Sequence, residues 1–362
     1  MKIYFVEPEP SDIEFFEQAL PEHDLLFAEY DSDVESDCEI LSVYIHSNID
    51  IEFLDRHQHL KFVTTRSAGY DHIDVSECAR RGIPVSNAAG ADANTTAEHT
   101  FALMLALARR LYEVREANKQ PVFRYEELRA VDLKDKTIGV IGTGRVGMHV
   151  VHIALAFGMK VVAYDPYRPS LMAEIFGVRY VDLDELLRES HVISLHAPLA
   201  EETFHMLDRA AFAKCQQGVI IINTARGQLI DTSALLDALD SGRVAGAGLD
   251  VLEEESVLRK EADKIIADQI IDRLKNHPPA GDGTPTDDPD RLRRFEEVMR
   301  NQSLLNRPDV VFTPHVAFNS VEAVERINAL TISNINAFLK GRPTNLVNQP
   351  REAATVNYEC SR

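Results

Sequence analysis

The sequence predicts an α/β protein of two domains, in which parallel β-sheets carry helices on both faces. Three observations lead to this fold class. The chain has 362 residues, whereas a domain typically holds about 150. Between Lys136 and His315, runs of β-branched residues alternate with helical stretches, a pattern typical of βαβ units. A glycine-rich segment directly follows the first of these runs, as it does in doubly wound sheets.

Composition excludes several classes of protein. With 45% hydrophobic and 27% charged residues, the chain is neither disordered nor collagenous. No apolar stretch is long enough for a transmembrane helix, and residues 3–6 are too few for a signal-peptide core, so we expect a cytoplasmic protein with no membrane partner. The 58 acidic and 38 basic side chains leave a net charge of -20, which argues against nucleic-acid binding. An anionic substrate would therefore need a local basic anchor.

The cysteines do not form a metal-binding pattern. They are far apart in the sequence, and neither a C-x-x-C pair nor clustered histidines accompany them. We therefore expect no metal site and four reduced thiols, at Cys38, Cys78, Cys215 and Cys360.

The N-terminal part of the chain predicts strands followed by one long helix. The strands are expected at residues 2–6, 61–64 and 83–86. From Thr95 to about Asn118 the residues are mostly Ala, Leu, Glu and Arg, with apolar residues all round in the first half. This pattern predicts a single, largely buried helix that can join one domain to another.

The remainder predicts a six-stranded parallel sheet with an insertion. Residues 256–306 separate two strands by more than one helix needs, and we interpret them as surface decoration rather than a lid or an assembly contact. A terminal amphipathic helix is expected at residues 320–339, and the tail at 348–362 should be loosely held. The six strands are expected at residues 137–141, 160–164, 192–195, 219–222, 245–249 and 310–313.

The glycine-rich segment indicates a dinucleotide site. Residues 142–147 match G-x-G-x-x-G between a strand and the predicted helix 146–157. Gly142 allows a tight turn, Gly144 lets backbone amides approach a pyrophosphate, and Gly147 lets helix and strand pack closely. Asp165, at the end of the next strand, can bond a ribose 2′-hydroxyl and favours NAD over NADP. The alternative is a glycine-rich turn with an N-capping aspartate in another kind of α/β protein.

Polar residues follow consecutive strands of the predicted sheet. Because the carboxyl ends of parallel strands meet at one edge, we expect these side chains to converge there. The segments are residues 196–199 (HAPL), 223–227 (NTARG), 250–255 (DVLEEE) and 313–315 (TPH).

Three of these residue types suit hydride transfer between a nicotinamide and a 2-hydroxy or 2-oxo acid. Arg226 can hold a carboxylate through its planar guanidinium. His315 can exchange a proton with the reacting oxygen, and a glutamate bonded to its ring would orient it. The sequence leaves Glu253, Glu254 and Glu255 open as that glutamate. Taken singly, these residues could be surface or turn groups; His196 is expected to shape the cofactor loop, and His72 and His99 are given no role.

These segments resemble the D-isomer-specific 2-hydroxyacid dehydrogenases, a family that includes D-lactate, glycerate and 3-phosphoglycerate dehydrogenases. The resemblance covers most of the chain, and the matching segments occur in family order. They are residues 65–74 (TRSAGYDHID), 94–99 (NTTAEH), the 142–147 loop with Asp165, 196–199, 223–227, 248–251 (GLDV) and 313–315.

The resemblance implies a complete set of site residues. Arg226, Glu255 and His315 would be catalytic, with Glu255 selected because it lies five positions after Asp250. Backbone amides of Ala68 and Gly69 would bind the substrate carboxylate together with Arg226. The cofactor would be bound by Gly142, Gly144, Arg145, Val146, Gly147, Asp165, His196, Ala197, Pro198, Thr203, Thr224, Ala225, Asp250 and His315.

The resemblance also implies a domain organisation. A flavodoxin-like substrate domain would be discontinuous, formed by residues 1–100 and 320–362. An NAD-binding Rossmann domain would be inserted at residues 101–319, with the insertion at about 256–306. Homodimers would pair through the NAD-binding domain.

The expected activity is that of an NAD-dependent dehydrogenase that interconverts a small D-2-hydroxy acid and its 2-oxo acid, chiefly as a reductase. Ala91, where lactate-type relatives often carry tyrosine, would widen the substrate pocket. An alternative is an NADH-sensing interaction protein similar to the corepressors that resemble this family. Formate oxidation is disfavoured because that branch lacks a counterpart of Glu255, and phosphite oxidation stays open.

Overall fold

This computed structural model describes residues 1–117, 125–168, 175–253 and 299–348. The chain forms two compact units. The first contains residues 1–92 and the chain from residue 320 onward, and the second contains residues 93–319. Most of the predicted insertion at 256–306 and nearly all of the tail at 348–362 lie outside the described residues.

The first unit is built on a five-stranded parallel sheet in the order β2-β1-β3-β4-β5, which is the flavodoxin-like order. Its strands are β1 (Lys2–Val6), β2 (Asp24–Ala28), β3 (Ile40–Val43), β4 (Phe62–Thr65) and β5 (Val85–Ser86). Its helices are α1 (Pro10–Ala19), α2 (Ile51–Arg56), α3 (Val75–Arg80) and α10 (Val321–Leu339).

The core of the first unit explains why the terminal helix returns to it. All residues of β3 and β4 are buried, as expected for parallel strands covered on both faces. Phe5 stacks on Phe16 of α1 at 4.0 Å between ring centroids, and Phe62 stacks on Phe338 of α10 at 4.5 Å. The two helices, distant in the sequence, therefore pack on one sheet.

The second unit is built on a seven-stranded parallel sheet in the order β12-β11-β10-β9-β6-β7-β8. The chain order reverses between β6 and β9, which makes the sheet doubly wound. Its strands are β6 (Thr137–Ile141), β7 (Lys160–Tyr164), β8 (Arg179–Tyr180), β9 (Val192–Leu195), β10 (Val219–Asn223), β11 (Val244–Leu249) and β12 (Val310–Phe312). Its helices are α4 (Ala93–Ala108), α5 (Leu111–Ala117), α6 (Arg145–Ala156), α7 (Leu183–Glu189), α8 (Arg209–Lys214) and α9 (Thr232–Asp240). Residues 299–305 are also helical.

The predicted fold class is confirmed, and the predicted strands lie within two residues of the observed ones. The prediction of one long helix from Thr95 to about Asn118 is wrong. Helix α4 ends at Ala108 because Arg110 adopts a left-handed φ of 52°, after which α5 begins. Strands β2, β3 and β8 were not predicted from the sequence.

Helix α4 belongs entirely to the second unit, so the first segment of the other unit ends at Asp92 rather than at residue 100. Phe101, Leu103 and Met104 lie in the same buried cluster as Val140 and Ile222 of the second sheet. Packing along the whole helix therefore fixes where the second unit begins.

The described residues show neither a membrane-crossing helix nor a metal-binding cluster. None of the helices found there combines the length and the apolar character that a membrane-crossing segment requires. In the same part of the chain, no group of three His, Cys, Asp or Glu side chains is placed to hold a metal ion.

Candidate active site

The carboxyl ends of five strands of the second sheet lie in one register. Backbone pairing aligns, in turn, Ile141 of β6, Leu195 of β9, Asn223 of β10, Leu249 of β11 and Phe312 of β12. Neighbouring strands are about 4.8 Å apart. The segments that follow these strands therefore start at that interval along a single edge, and the structure brings the glycine loop, His196, Arg226, Asp250 and His315 to it.

The loop after β6 is shaped by close backbone contacts that leave no room for a side chain at Gly142 or Gly147. Gly142 has a φ of 90°, and a Cβ there would lie 2.7 Å from the backbone of Ala197. A Cβ on Gly147 would lie 2.0 Å from the carbonyl oxygen of Gly142. At Gly144, the N-cap of α6, a Cβ would meet no atom within 4 Å. The space at this helix N-terminus is open and suits an anionic group such as a pyrophosphate.

Asp165, which follows β7, is held beside the glycine loop. Its Oδ2 accepts hydrogen bonds from the backbone N–H of Thr143 at 2.7 Å and from the Thr143 hydroxyl at 3.0 Å. Its Oδ1 accepts from the backbone N–H of Tyr167 at 2.8 Å, and the Tyr180 hydroxyl donates to Thr143 Oγ1 at 3.1 Å. The carboxylate is partly exposed and oriented, so it fits a ribose hydroxyl and would repel a 2′-phosphate.

Two further residues predicted to bind the cofactor begin helix α6. Arg145 is exposed and Val146 is half-buried, and both directly follow Gly144. They lie where a group bound at the helix N-terminus would meet the first turn. Together with the open position at Gly144 and the carboxylate of Asp165, this arrangement fits a dinucleotide with an unphosphorylated ribose.

His196, after β9, has an environment that keeps its ring neutral. Burial lowers the pKa of His196 to about 3. Its Nε2 lies 2.8 Å from Ser194 Oγ, and its backbone N–H donates to the carbonyl of Ile141 at 2.7 Å. This backbone bond joins the start of the loop to the end of β6, directly before the glycine loop. A neutral ring suits a role in shaping the loop better than one in proton transfer.

The rest of the loop after β9 is a compact turn. Ala197 is buried, and the Thr203 hydroxyl donates to the carbonyl of Pro198 at 2.7 Å while accepting from the backbone N–H of Ala200 at 2.8 Å. The predicted cofactor residues Ala197, Pro198 and Thr203 therefore share one hydrogen-bonded segment.

Arg226 lies in the loop after β10, which the buried Asn223 organises. Asn223 Oδ1 accepts from the backbone N–H of Ala225 at 3.0 Å, and its Nδ2 donates to the carbonyl of Arg226 at 2.8 Å. The half-buried Arg226 guanidinium donates to the carbonyl of Ala225 at 2.8 Å. A Cβ on Gly227 would lie 2.0 Å from the backbone of Leu252. This loop therefore packs directly on the loop after β11.

Asp250, after β11, bonds the chain on both sides of His315. Its carboxylate is fully buried, and Oδ1 accepts from the Thr313 hydroxyl at 2.6 Å and from the N–H of Val316 at 3.0 Å, while Oδ2 accepts from the N–H of Ala317 at 2.9 Å. The backbone N–H of His315 donates to the carbonyl of Asp250 at 2.8 Å. With no exposed surface on the Asp250 side chain, the cofactor contact predicted for this residue stays a prediction.

The backbone of His315 depends on these bonds. Its φ is 54°, in the left-handed region, which costs a non-glycine residue about 1–3 kcal/mol and persists only where the surroundings impose it. The side chain is half-buried. The bonds to Asp250 thus fix the backbone conformation of His315 and, with it, the position of the imidazole.

Of the three candidate glutamates, Glu253 lies among the described residues. Its Oε1 lies 2.6 Å from His205 Nε2, and its Oε2 accepts from the N–H of Thr232 at 3.0 Å and from the Thr232 hydroxyl at 2.5 Å. Oε2 therefore holds the loop after β11 against the start of α9, and Oε1 holds it against His205, in the segment between β9 and α8. Glu254 and Glu255 lie outside the described residues, and the role of Glu255 stays a prediction.

Two histidines without a predicted role, His205 and His99, contact this site. His205 bonds Glu253, as described above. His99 of α4 places Nε2 2.9 Å from Thr313 Oγ1 and 3.5 Å from Asp250 Oδ1. Their partners are 48 and 214 residues away in the chain, so no local spacing indicates these contacts.

Ala68 and Gly69 lie in the first unit, in the loop after β4. Asn87 Nδ2 donates to the carbonyl of Ala68 at 2.7 Å, and the Ser67 hydroxyl donates to the carbonyl of Gly69 at 2.6 Å. These bonds fix the loop backbone. The binding role of the two backbone amides stays a prediction.

Comparisons with known proteins give one consistent family. A family model described as "D-isomer specific 2-hydroxyacid dehydrogenase, NAD binding domain" matches residues 101–317. The chain is 34% identical to a 2-hydroxyacid dehydrogenase homolog of Haemophilus influenzae, over 91% of this chain and 90% of that protein. It is 36% identical to a glyoxylate reductase of Korarchaeum cryptofilum, over 86% of this chain and 83% of that protein. A solved D-lactate dehydrogenase from Aquifex aeolicus, complexed with NAD and lactic acid, matches with a TM-score of 0.81 at 34% identity, covering 96% of this chain and 99% of that one.

The neutral state of His196 predicts a loss of stability in mild acid. The folded-state pKa of about 3 lies below the ordinary value of 6.5, so between these values the unfolded chain binds a proton that the folded chain does not. Stability from this residue is therefore complete above pH 6.5 and falls as the pH drops, by about 2 kcal/mol between pH 7 and pH 5. Urea unfolding at both pH values measures it.

The His196→Gln variant should show a correspondingly smaller difference in unfolding free energy between pH 7 and pH 5. The matched control is His59→Gln, at an exposed position, which should follow the wild-type protein. An unchanged pH dependence in His196→Gln would contradict the argument.

Proposed function

The chain belongs to the D-isomer-specific 2-hydroxyacid dehydrogenase family and contains its NAD-binding domain, and from this premise we propose that it reduces a small 2-oxo acid to the D-2-hydroxy acid, and catalyses the reverse reaction. The observation that carries the proposal is the common register of the strand ends. Arg226 follows β10 and His315 follows β12, and β11 lies between these two strands. Both loops lie at the edge of the sheet that also carries the glycine loop.

The size of the substrate is inferred from the names of the relatives. They include D-lactate dehydrogenase, glyoxylate reductase and hydroxypyruvate reductase. Each name refers to an acid of two or three carbons with a hydroxyl or oxo group at position 2. A small, singly charged 2-oxo acid is therefore the first candidate for this chain.

The proposed reaction divides between a hydride and a proton. NADH, when bound, supplies the hydride that C2 of the substrate accepts. His315 holds the proton that the oxygen on C2 takes up as the carbonyl bond is reduced, and it accepts that proton in the reverse direction. An imidazole can exchange a proton near neutral pH, and the half-buried position of His315 lets its ring regain one from water.

Arg226 is proposed to bind the substrate carboxylate. A guanidinium presents a planar set of N–H donors that matches a carboxylate in two parallel hydrogen bonds. Asn223 and the close contact between Gly227 and Leu252 hold its backbone. Arg226 thus supplies the local positive charge that an acidic chain needs for an anionic substrate.

Three further proposals rest on the family resemblance. Glu255 is proposed to orient His315 on the strength of the family resemblance. Pairing of two copies through the NAD-binding domain and a cytoplasmic location are proposed on the same ground.

A substrate panel tests the proposed activity. Purified protein with NADH and pyruvate, 2-oxobutyrate, 2-oxoisocaproate, phenylpyruvate, glyoxylate or hydroxypyruvate should oxidise NADH with at least one of them, followed at the absorbance of NADH. The alternative, an NADH-sensing interaction protein, predicts tight NADH binding with no turnover on any. Phosphite with NAD is the control for the remaining enzyme alternative, and activity with phosphite alone would contradict the proposal.

Substitutions at the two proposed catalytic residues should separate their tasks. His315→Ala should lower kcat by about 100-fold or more because the proton donor is lost, with little change in the Kd of NADH. Arg226→Gln should lower kcat/KM for the 2-oxo acid by about 10- to 100-fold, the value of a hydrogen bond to a charged group. Steady-state kinetics and NADH fluorescence titration measure both effects. Full activity in His315→Ala would remove this residue from the mechanism.

The glycine loop predicts two different effects of adding a side chain. Gly144→Val should fold as the wild type does, since the new Cβ meets no atom within 4 Å, but it should weaken NADH binding by about tenfold or more, because the side chain fills the space at the helix N-terminus. Gly147→Val should lower the Tm, because its Cβ would lie 2.0 Å from the carbonyl oxygen of Gly142. Unchanged NADH affinity in Gly144→Val would place the cofactor elsewhere.

A further inference from the structure

We propose that His99 is a positioning residue for proton transfer by His315 and acts through Thr313 and Asp250. The proposal rests on the proposed function, since it takes His315 as the proton donor. All four residues belong to the second unit. His99 is contributed by α4, while the other three follow strands β11 and β12.

The direction of the hydrogen bonds follows from counting donors. The Thr313 hydroxyl has one hydrogen, and it donates this hydrogen to Asp250 Oδ1 at 2.6 Å. At 2.9 Å from His99 Nε2, Thr313 Oγ1 must then act as the acceptor. His99 therefore carries a proton on Nε2, and a directed series of bonds runs from its ring through Thr313 to the carboxylate.

The carboxylate needs this support because it is fully buried. A buried charge is tolerated when it is hydrogen-bonded and faces an opposite charge or a donor group. Asp250 receives one hydroxyl and two backbone N–H donors, and His99 Nε2 is 3.5 Å from its Oδ1. The ring of His99, with 23% of its side chain exposed, thus links the buried carboxylate to the surface of α4.

The position of Asp250 in turn decides the position of His315. Its carboxylate bonds residues 313, 316 and 317, on both sides of the histidine, and its carbonyl accepts the His315 N–H. Because the left-handed φ of His315 is unfavourable for a non-glycine residue, loosening any of these bonds allows the loop to relax. The imidazole would then be displaced from the position in which it meets the substrate oxygen, and small displacements of a catalytic group lower the rate strongly.

The test compares His99→Leu with His99→Gln. Leucine fills similar space without a donor, whereas the glutamine side-chain amide can reach as far as Nε2 and donate to Thr313. We expect His99→Leu to lower kcat by about tenfold or more, with less change in the KM for the 2-oxo acid and no change in the Kd of NADH. His99→Gln should keep most of the kcat that His99→Leu loses, although glutamine has no imidazole ring.

A second pair of variants keeps the test decisive if His99→Leu does not fold. Thr313→Val removes the hydroxyl with little change in shape, and Thr313→Ser keeps it. Thr313→Val should show the same loss of kcat as His99→Leu, and Thr313→Ser should resemble the wild type. The double variant His99→Leu/Thr313→Val should be no slower than either single one, since both interrupt the same series of bonds. His59→Leu, at an exposed position of the first unit, is the matched control.

Each result decides the proposal. Wild-type kcat in both His99→Leu and Thr313→Val overturns it, as does a His99→Gln variant as slow as His99→Leu. A loss of NADH affinity and Tm that accompanies the loss of kcat in all variants would indicate packing alone and also overturns it. If His315→Ala keeps full activity, the proposed function itself fails; if His315→Ala is slow and the His99 variants are not, only this inference fails.

Discussion

The common register of five parallel strand ends is the constraint on which the candidate site depends. Hydrogen bonds along β6, β9, β10, β11 and β12 fix the last residue of each strand against its neighbours, so a residue one to three positions further has little freedom. Strands β10 and β12 are two intervals apart, about 10 Å, a span over which Arg226 and His315 can contact one small molecule. A slip of one residue in β12 would reverse the faces of its side chains and separate this pair.

Much of the second sheet could be predicted because its strands are buried on both faces, which leaves continuous β-branched runs in the sequence. Strands β6, β7 and β9 begin and end where those runs do. The first sheet gives weaker signals: β2 is an edge strand in which four of five residues are at least partly exposed, and β3 is four residues long with a polar Ser42. The end of α4 had no signal at all, since it depends on a left-handed φ at Arg110, a residue with no preference for it.

The candidate site was predictable where it follows strand ends and unpredictable where it depends on burial. Arg226 and His315 could be proposed because each lies within three residues of the end of a strand. The residues that support His315 could not be predicted. The role of Asp250 depends on its complete burial, which the sequence does not show. His99, which contacts Asp250, lies 151 positions earlier in the chain. Likewise, the residue types alone left Glu253, Glu254 and Glu255 open, and the choice of Glu255 came from the family resemblance. Of the three, Glu253 lies among the described residues, where it bonds His205 and Thr232.

The negative net charge of the protein must be overcome locally for an anionic substrate to bind. The chain carries a net charge of -20, and at physiological ionic strength exposed charges more than about 8 Å apart are largely screened. Close to the protein surface, two opposite unit charges 4 Å apart attract by about 4 kcal/mol, which outweighs the screened repulsion from distant carboxylates. Asp250, whose backbone carbonyl bonds the His315 N–H, has a carboxylate that is buried and bonded to three protein donors, so it presents little charge to a substrate. A strongly acidic chain can therefore admit an acid at the edge where Arg226 lies.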